Sequence, residues 1–384
     1  MKERFETRLL KGAIRLTLSN KNKWSKDKAT LCNEIISVIE DYQRQGYKLS
    51  LRQLYYQLVS SDMIPNDDVV YKKLSGVLDD LRYSGKVDWD AIEDRGRQPY
   101  LPYYADGIVD ALNTIINAFR LDRQKGQPKM IEVWTEKDAI SGILRRITAY
   151  YHVQLVVNKG YSSSSAMHEA YERFSQAIAA GQKVKILYFG DHDPSGLDMV
   201  RDIKERLLFF LSRGALQSNS DFYETYVQKW WDDNQYDIFD VLNSAFGSDK
   251  LEQLYQSAIN NGEGHDFDDE FESARLSMFL SETEMFNIEP IGLTREQIKE
   301  FNPPENPAKI TDPRAAWYLK EHGNKSWEVD ALPPDVMTNI VREHIFANMD
   351  ADIYDRVISE ENRQSAIIKE FADKYSDENP DDEQ

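Results

Sequence analysis

Apolar positions along the chain follow two different periods. Between residues 29 and 82 they recur at helical spacing. Leu31, Ile35, Val38, Ile39 and Tyr42 share one face of a predicted helix over 29–44. Ser50 is a good N-cap for a second helix, Leu51 to Ser60, whose predicted buried stripe is Leu51, Leu54, Tyr55 and Leu58. Asn66 or Asp67 caps a third helix running to about Arg82; Ser84-Gly85 then turns the chain into Lys86–Asp90, predicted as a short strand. From residue 130 the pattern changes. Short apolar runs near 130–135, 153–157, 184–189, 286–293 and 327–332 read as strands, with helical spacing between most of them. Strands that are apolar throughout and alternate with helices predict a mainly parallel sheet with right-handed crossovers.

The expected fold class is therefore α/β, with a helical N-terminal domain ahead of a Rossmann-like, mainly parallel sheet domain. Three helices and a small β turn are the parts of a winged helix. The expected division is a basic arm at 1–28, the winged helix at 29–104 and the sheet domain at 105–350. The sheet domain contains an aromatic, acidic insertion at about 222–284, read as covering one side of the sheet. A C-terminal helix and acidic tail occupy 351–384, disordered from Ser376 onward.

Charge changes this picture. The net charge is −19, which argues against a surface coated for nucleic acid. Yet residues 1–150 hold 25 basic and 21 acidic side chains, whereas residues 151–384 hold 22 and 45. A DNA contact is expected in the basic half. Lys72, Lys73 and Arg82 on the third helix, and Arg95 and Arg97 after it, are the candidates; Asp79 and Asp80 on the same helix weaken direct base reading. Cys32 is the single cysteine, so no intrachain disulfide forms. No apolar run approaches membrane-spanning length and no signal core is evident. The expectation is a cytoplasmic protein without membrane contact.

Two strand ends carry the chemistry. The apolar run 184–189 breaks at Gly190 and places Asp191 and Asp193 one residue apart, with Pro194 set to start a helix and Gly196 leaving the backbone open to a ligand. The run 131–135 ends at Glu136 and Lys137. Ligands bind at the carboxyl ends of parallel strands, and crowded carboxylates there suit a hard cation. An Asp-rich turn capping a helix accounts for the Asp pair alone. On the second helix, Tyr56 lies off the apolar stripe with Arg52 one turn below, placed to meet a phosphate or simply packed on its own helix. The run 327–332 is predicted as a last strand whose end carries Glu328 and Asp330.

Glu136, the pair Asp191 and Asp193, and Gly196 resemble the Toprim signature. With Glu-Lys at the first strand end and Arg-Gln-Leu-Tyr-Tyr on the second helix, the chain is most similar to the topoisomerase VI A subunit and its meiotic double-strand-break relatives. The resemblance covers roughly 45–215 and 285–345. It implies Mg²⁺ or Mn²⁺ held by Glu136, Asp191 and Asp193, with Lys137 beside them. It also implies that Tyr56, assisted by Arg52, attacks a DNA phosphodiester, that two copies form a homodimer making staggered nicks, and that a separate ATPase subunit takes part. Two alternatives stay open. One is a Toprim endonuclease in which metal-activated water replaces the tyrosine. The other is a non-catalytic DNA-binding adaptor for an ATPase.

Overall fold

The computed structural model describes residues 28–93, 102–158, 163–214, 216, 219–234, 236, 265–308 and 315–378. The basic arm as far as residue 27, Arg95 and Arg97, the middle of the acidic insertion and the last six residues lie outside them.

Strand residues that alternate between two buried faces decide the architecture. Strands β1 (Lys129–Thr135), β2 (Gln154–Val157), β3 (Lys183–Phe189) and β4 (Phe286–Gly292) form a four-stranded sheet in the order β2-β1-β3-β4. Every pairing is parallel, with Glu132 opposite Gln154, Trp134 opposite Tyr188, and Ile186 opposite Ile288. On one face Ile131, Val133, Leu187, Phe189 and Ile291 pack with α5 (Ser141–Tyr151) and α11 (Pro334–Asn348). On the other, Trp134, Val184, Ile186, Tyr188 and Phe286 pack with α6 (Ser164–Ala179), α7 (Pro194–Arg213) and α8 (His265–Glu282). Glu132 also faces this side and is fully buried. Its charge is met by Arg173 at 2.9 Å and by the Trp134 indole at 2.8 Å. The insertion thus ends in core structure, since Leu276, Phe279 and Leu280 of α8 are buried.

The helical unit follows its predicted boundaries closely. It consists of α1 (Lys28–Arg44), α2 (Leu51–Ser60) and α3 (Asp68–Tyr83). Ser50 and Gln53 make a capping box on α2, and Asp67, not Asn66, caps α3. A further helix, α4 (Ile108–Ala118), lies against the long C-terminal helix α12 (Ala351–Glu378). Smaller elements include α9 (Arg295–Phe301), the antiparallel pair β5 (Glu305–Pro307) and β6 (Lys325–Trp327), and α10 (Ala315–His322) between those strands.

Several expectations are corrected. Residues 86–90 form no strand. The chain passes through a 3₁₀ turn, Trp89–Ala91, and meets Leu49 in an isolated parallel bridge at Ile92. Buried Ala91 and the bonds Leu49 N to Ala91 O (3.1 Å) and Glu93 N to Leu49 O (2.8 Å) hold it there. The last strand stops at Trp327, and Val329–Ala331 is a 3₁₀ turn whose three residues are all buried. The tail is helical as far as Glu378, so Ser376 to Glu378 continue α12.

Candidate functional site

Parallel strands leave their carboxyl ends at one edge, and there the site assembles. Glu136 and Lys137 follow β1; Gly190 and Asp191 follow β3. Asp193 caps α7, accepting from the Gly196 amide at 2.6 Å, and Pro194 begins the helix. Gly196 does not leave the backbone open to a ligand. A Cβ there would lie 2.4 Å from the Asp191 carbonyl oxygen, so glycine is required for the chain to fold back on itself. His192 pairs with Trp327 through main-chain bonds of 2.9 and 3.1 Å, which swings the Val329–Ala331 turn against the end of β3. Asp191 Oδ1 accepts from the Val329 amide at 2.8 Å.

Glu136 and Asp191 are neighbours at this edge, with Asp193 two residues beyond Asp191, but among the described residues no three acids form a group that could hold a metal ion. Glu136 lies within hydrogen-bonding reach of Asp191, and the charge of Asp193 acts on it. Burial raises the Glu136 carboxyl, Lys137 opposes that rise, and Asp193 adds to it. Asp191 is buried and also pushed up, first by burial; Lys137 opposes the shift, and Asp330, Glu328 and Glu136 reinforce it. Lys137 is the electrostatic centre of the cluster. Its ammonium lies 2.6 Å from Asp191 Oδ2 and 3.0 Å from Glu328 Oε2. Burial alone would lower its pKa, but Asp191, Asp330 and Glu328 outweigh burial and raise it.

Helix α2 docks on this cluster from the helical unit. Arg52 donates to Glu328, and its Nε lies 2.9 Å from a carboxylate oxygen of fully buried Asp330. Gln57 donates to the Ala331 carbonyl at 3.1 Å. The Tyr56 hydroxyl sits within hydrogen-bonding reach of Glu328, and the Arg52 guanidinium lies 5.7 Å from the Tyr56 ring centre. Tyr56 is therefore not a surface residue; it is 6% exposed, about as buried as Tyr55 at 5%. The apolar stripe of α2 faces α1 and α3, and the opposite face is covered by the Val329–Ala331 turn. Burial and the charge on Glu328 push the Tyr56 phenol above the ordinary tyrosine range. These contacts are made within one chain.

The DNA-binding candidates separate. Lys72 and Lys73 are exposed on α3. Arg82 instead donates to the Trp89 and Ile92 carbonyls at 3.0 and 3.2 Å and lies 5.3 Å from the Trp89 ring centre, so it holds the turn after α3. Sequence reasoning noted Glu328 and Asp330 without giving them a role. The available signal was on α2, where Arg52, Tyr56 and Gln57 form a second, polar stripe that required a partner.

Glu136 and Asp191, whose carboxyls are raised first by burial, stand with Asp193 as oxygen donors of the kind a hard divalent cation takes. Among the described residues, however, no three such side chains form a ready cation cage, and Lys137 supplies the compensating charge. No helix among the described residues is long and apolar enough to cross a membrane. No family model, curated protein or solved structure matches the chain.

Proposed function

We propose that this chain cuts DNA strands in a reaction that depends on a divalent cation. One observation carries the reading: Tyr56 and Arg52 of the helical unit meet, through Glu328, the carboxylates that end two adjacent parallel strands. That juxtaposition supports reading Tyr56 as the nucleophile, Arg52 as the group that binds phosphate and the strand-end acids as the donors to a cation. It agrees with the motif resemblance to the topoisomerase VI A subunit. Glu136, Asp191 and Asp193 would hold Mg²⁺ or Mn²⁺, which supplies positive charge against the phosphate. Arg52 stabilises charge on the phosphate oxygens. The Tyr56 oxygen bonds to phosphorus as the bond to the neighbouring sugar oxygen breaks. Its proton passes to solvent once α2 has lifted, and the sugar oxygen takes one from solvent. Because Tyr56 is buried against its own chain's turn, α2 must lift from Val329–Ala331 before DNA reaches it. The homodimer and ATPase partner belong to the same proposal.

The burial of Tyr56 and its raised pKa favour a second reading, in which water attacks and Tyr56 only holds the docked helix. Denaturing a reaction with plasmid DNA and Mn²⁺ separates the two. A protein–DNA adduct, lost in Tyr56→Phe, supports the tyrosine; free ends with undiminished cutting by Tyr56→Phe support water. Absence of cutting by the wild type under every divalent cation contradicts both.

A further inference from the structure

A second group of side chains lies at the seam between the helical and sheet units, outside the carboxylate cluster. A cleft of about 390 Å³ is lined by Tyr47 from the loop after α1, by Arg146, Tyr150 and Tyr151 of α5, and by Arg342 of α11. That volume falls in the range of small-molecule sites, which often form between domains. The loop is shaped around one arginine. Gly46 has φ +77°, and a Cβ there would lie 3.1 Å from Arg146 Nη1. The glycine lets Arg146 donate to the Gly46 carbonyl at 2.7 Å and rest 4.4 Å from the Tyr47 ring centre. Arg342 donates to the Asn339 side chain at 2.7 Å. Among the described residues neither guanidinium is paired with a carboxylate.

This arrangement is unusual for the chain. The net charge is −19, yet the charged side chains lining the cleft are both arginine. An anion is the ligand such a cleft selects. The rings add a second requirement. Tyr150 is 58% exposed, with Arg123 on one face, and meets Tyr151 edge-on with ring centres 4.9 Å apart. Guanidinium groups beside tyrosine rings bind a planar ring and an anionic group together, by stacking and charge-assisted hydrogen bonds. We propose that this cleft binds a nucleoside phosphate, its phosphate between Arg146 and Arg342 and its base against the tyrosines. Two sources share that chemistry, a free nucleotide and a nucleotide unit of a DNA strand.

Calorimetric titration of the full chain tests this with AMP, ADP, ATP, inorganic phosphate and a 5′-phosphorylated trithymidylate. A nucleotide or the trithymidylate should bind, and inorganic phosphate more weakly. Arg146→Gln and Arg342→Gln should each weaken binding about tenfold or more. Tyr150→Ala should weaken nucleotide binding and leave the phosphate response unchanged. Arg342 is exposed and, among the described residues, bonds Asn339 on its own helix, so Arg342→Gln keeps the fold even if loss of Arg146 loosens the loop. Tighter binding of free nucleotides assigns the site to an effector; tighter binding of the trithymidylate assigns it to the DNA strand. No binding of any nucleotide or of the trithymidylate at millimolar concentration overturns the proposal, and so does binding unchanged by Arg342→Gln.

Discussion

The Lys137 ammonium lies 2.6 Å from Asp191 Oδ2, at the point where the ends of two parallel strands bring their acids together. A buried lysine there offsets the charge of Asp191 and shares with Arg52 the charges of Glu328 and Asp330. Removing one partner of a buried ion pair costs about 3–5 kcal/mol. Lys137→Met should lower unfolding stability by that order in urea titrations. Mn²⁺ should raise its melting temperature more than that of the wild type, because the freed carboxylates then accept a cation. An unchanged stability would show that Lys137 is not the compensating charge.

Glu328 fastens α2 to the sheet unit, and its titration reports the attachment. Burial alone would raise its carboxyl, but Lys137 and Arg52 outweigh burial and hold it at about 2, against an ordinary value of 4.5. A depressed pKa contributes stability above the unfolded value, and that stability is lost as pH falls through the folded value. At about 1.4 kcal/mol per unit, the contribution at neutral pH is on the order of 3 kcal/mol. The stability gap between wild type and Glu328→Gln should be largest near neutral pH and close as pH falls from about 4.5 toward 2. A gap that does not vary with pH would mean the carboxylate is not charged in this role.

Tyr55 and Tyr56 should differ in what their hydroxyls do. The Tyr55 hydroxyl donates to Asn66 Oδ1 at 2.9 Å and accepts from the Asp67 amide at 2.7 Å, tying α2 to the start of α3. Tyr55→Phe should cost about 1–2 kcal/mol by leaving the half-buried Asp67 amide without its partner. That exceeds what the sequence suggested, since Tyr55 read as a ring in a core. Tyr56→Phe should keep stability within about 1 kcal/mol. It should also remove any DNA-linked protein. Equal destabilisation by both substitutions would contradict this assignment.

The strands and most helix starts were legible because their signals are local. Ser50, Asp67 and Pro194 stand where helices begin, and each apolar run at 130–135, 184–189 and 286–293 became a strand. Glu136 and the Asp191–Asp193 pair were legible as acids at strand ends. What failed depended on distant parts of the chain. Tyr56 read as exposed because the turn that covers it lies some 270 residues further on, as the Gln57–Ala331 bond, 274 residues apart, shows. The run 327–332 read as a strand because its alternation fits one. The His192–Trp327 bridge instead ends β6 and turns the next residues toward the carboxylates.

The central claim is that Glu136, Asp191 and Asp193 support cation-dependent DNA cutting. Its most direct measurement is conversion of supercoiled plasmid to nicked and linear forms by wild type, Glu136→Gln and Asp193→Asn, with Mg²⁺, Mn²⁺ or EDTA. Removing a group that stabilises charge in the reaction costs about 10²-fold or more in rate. The account predicts cutting by the wild type with Mg²⁺ or Mn²⁺ and none with EDTA, with each variant slower by at least that factor while remaining folded by circular dichroism. Cutting that persists in EDTA, or variants as fast as the wild type, would contradict it.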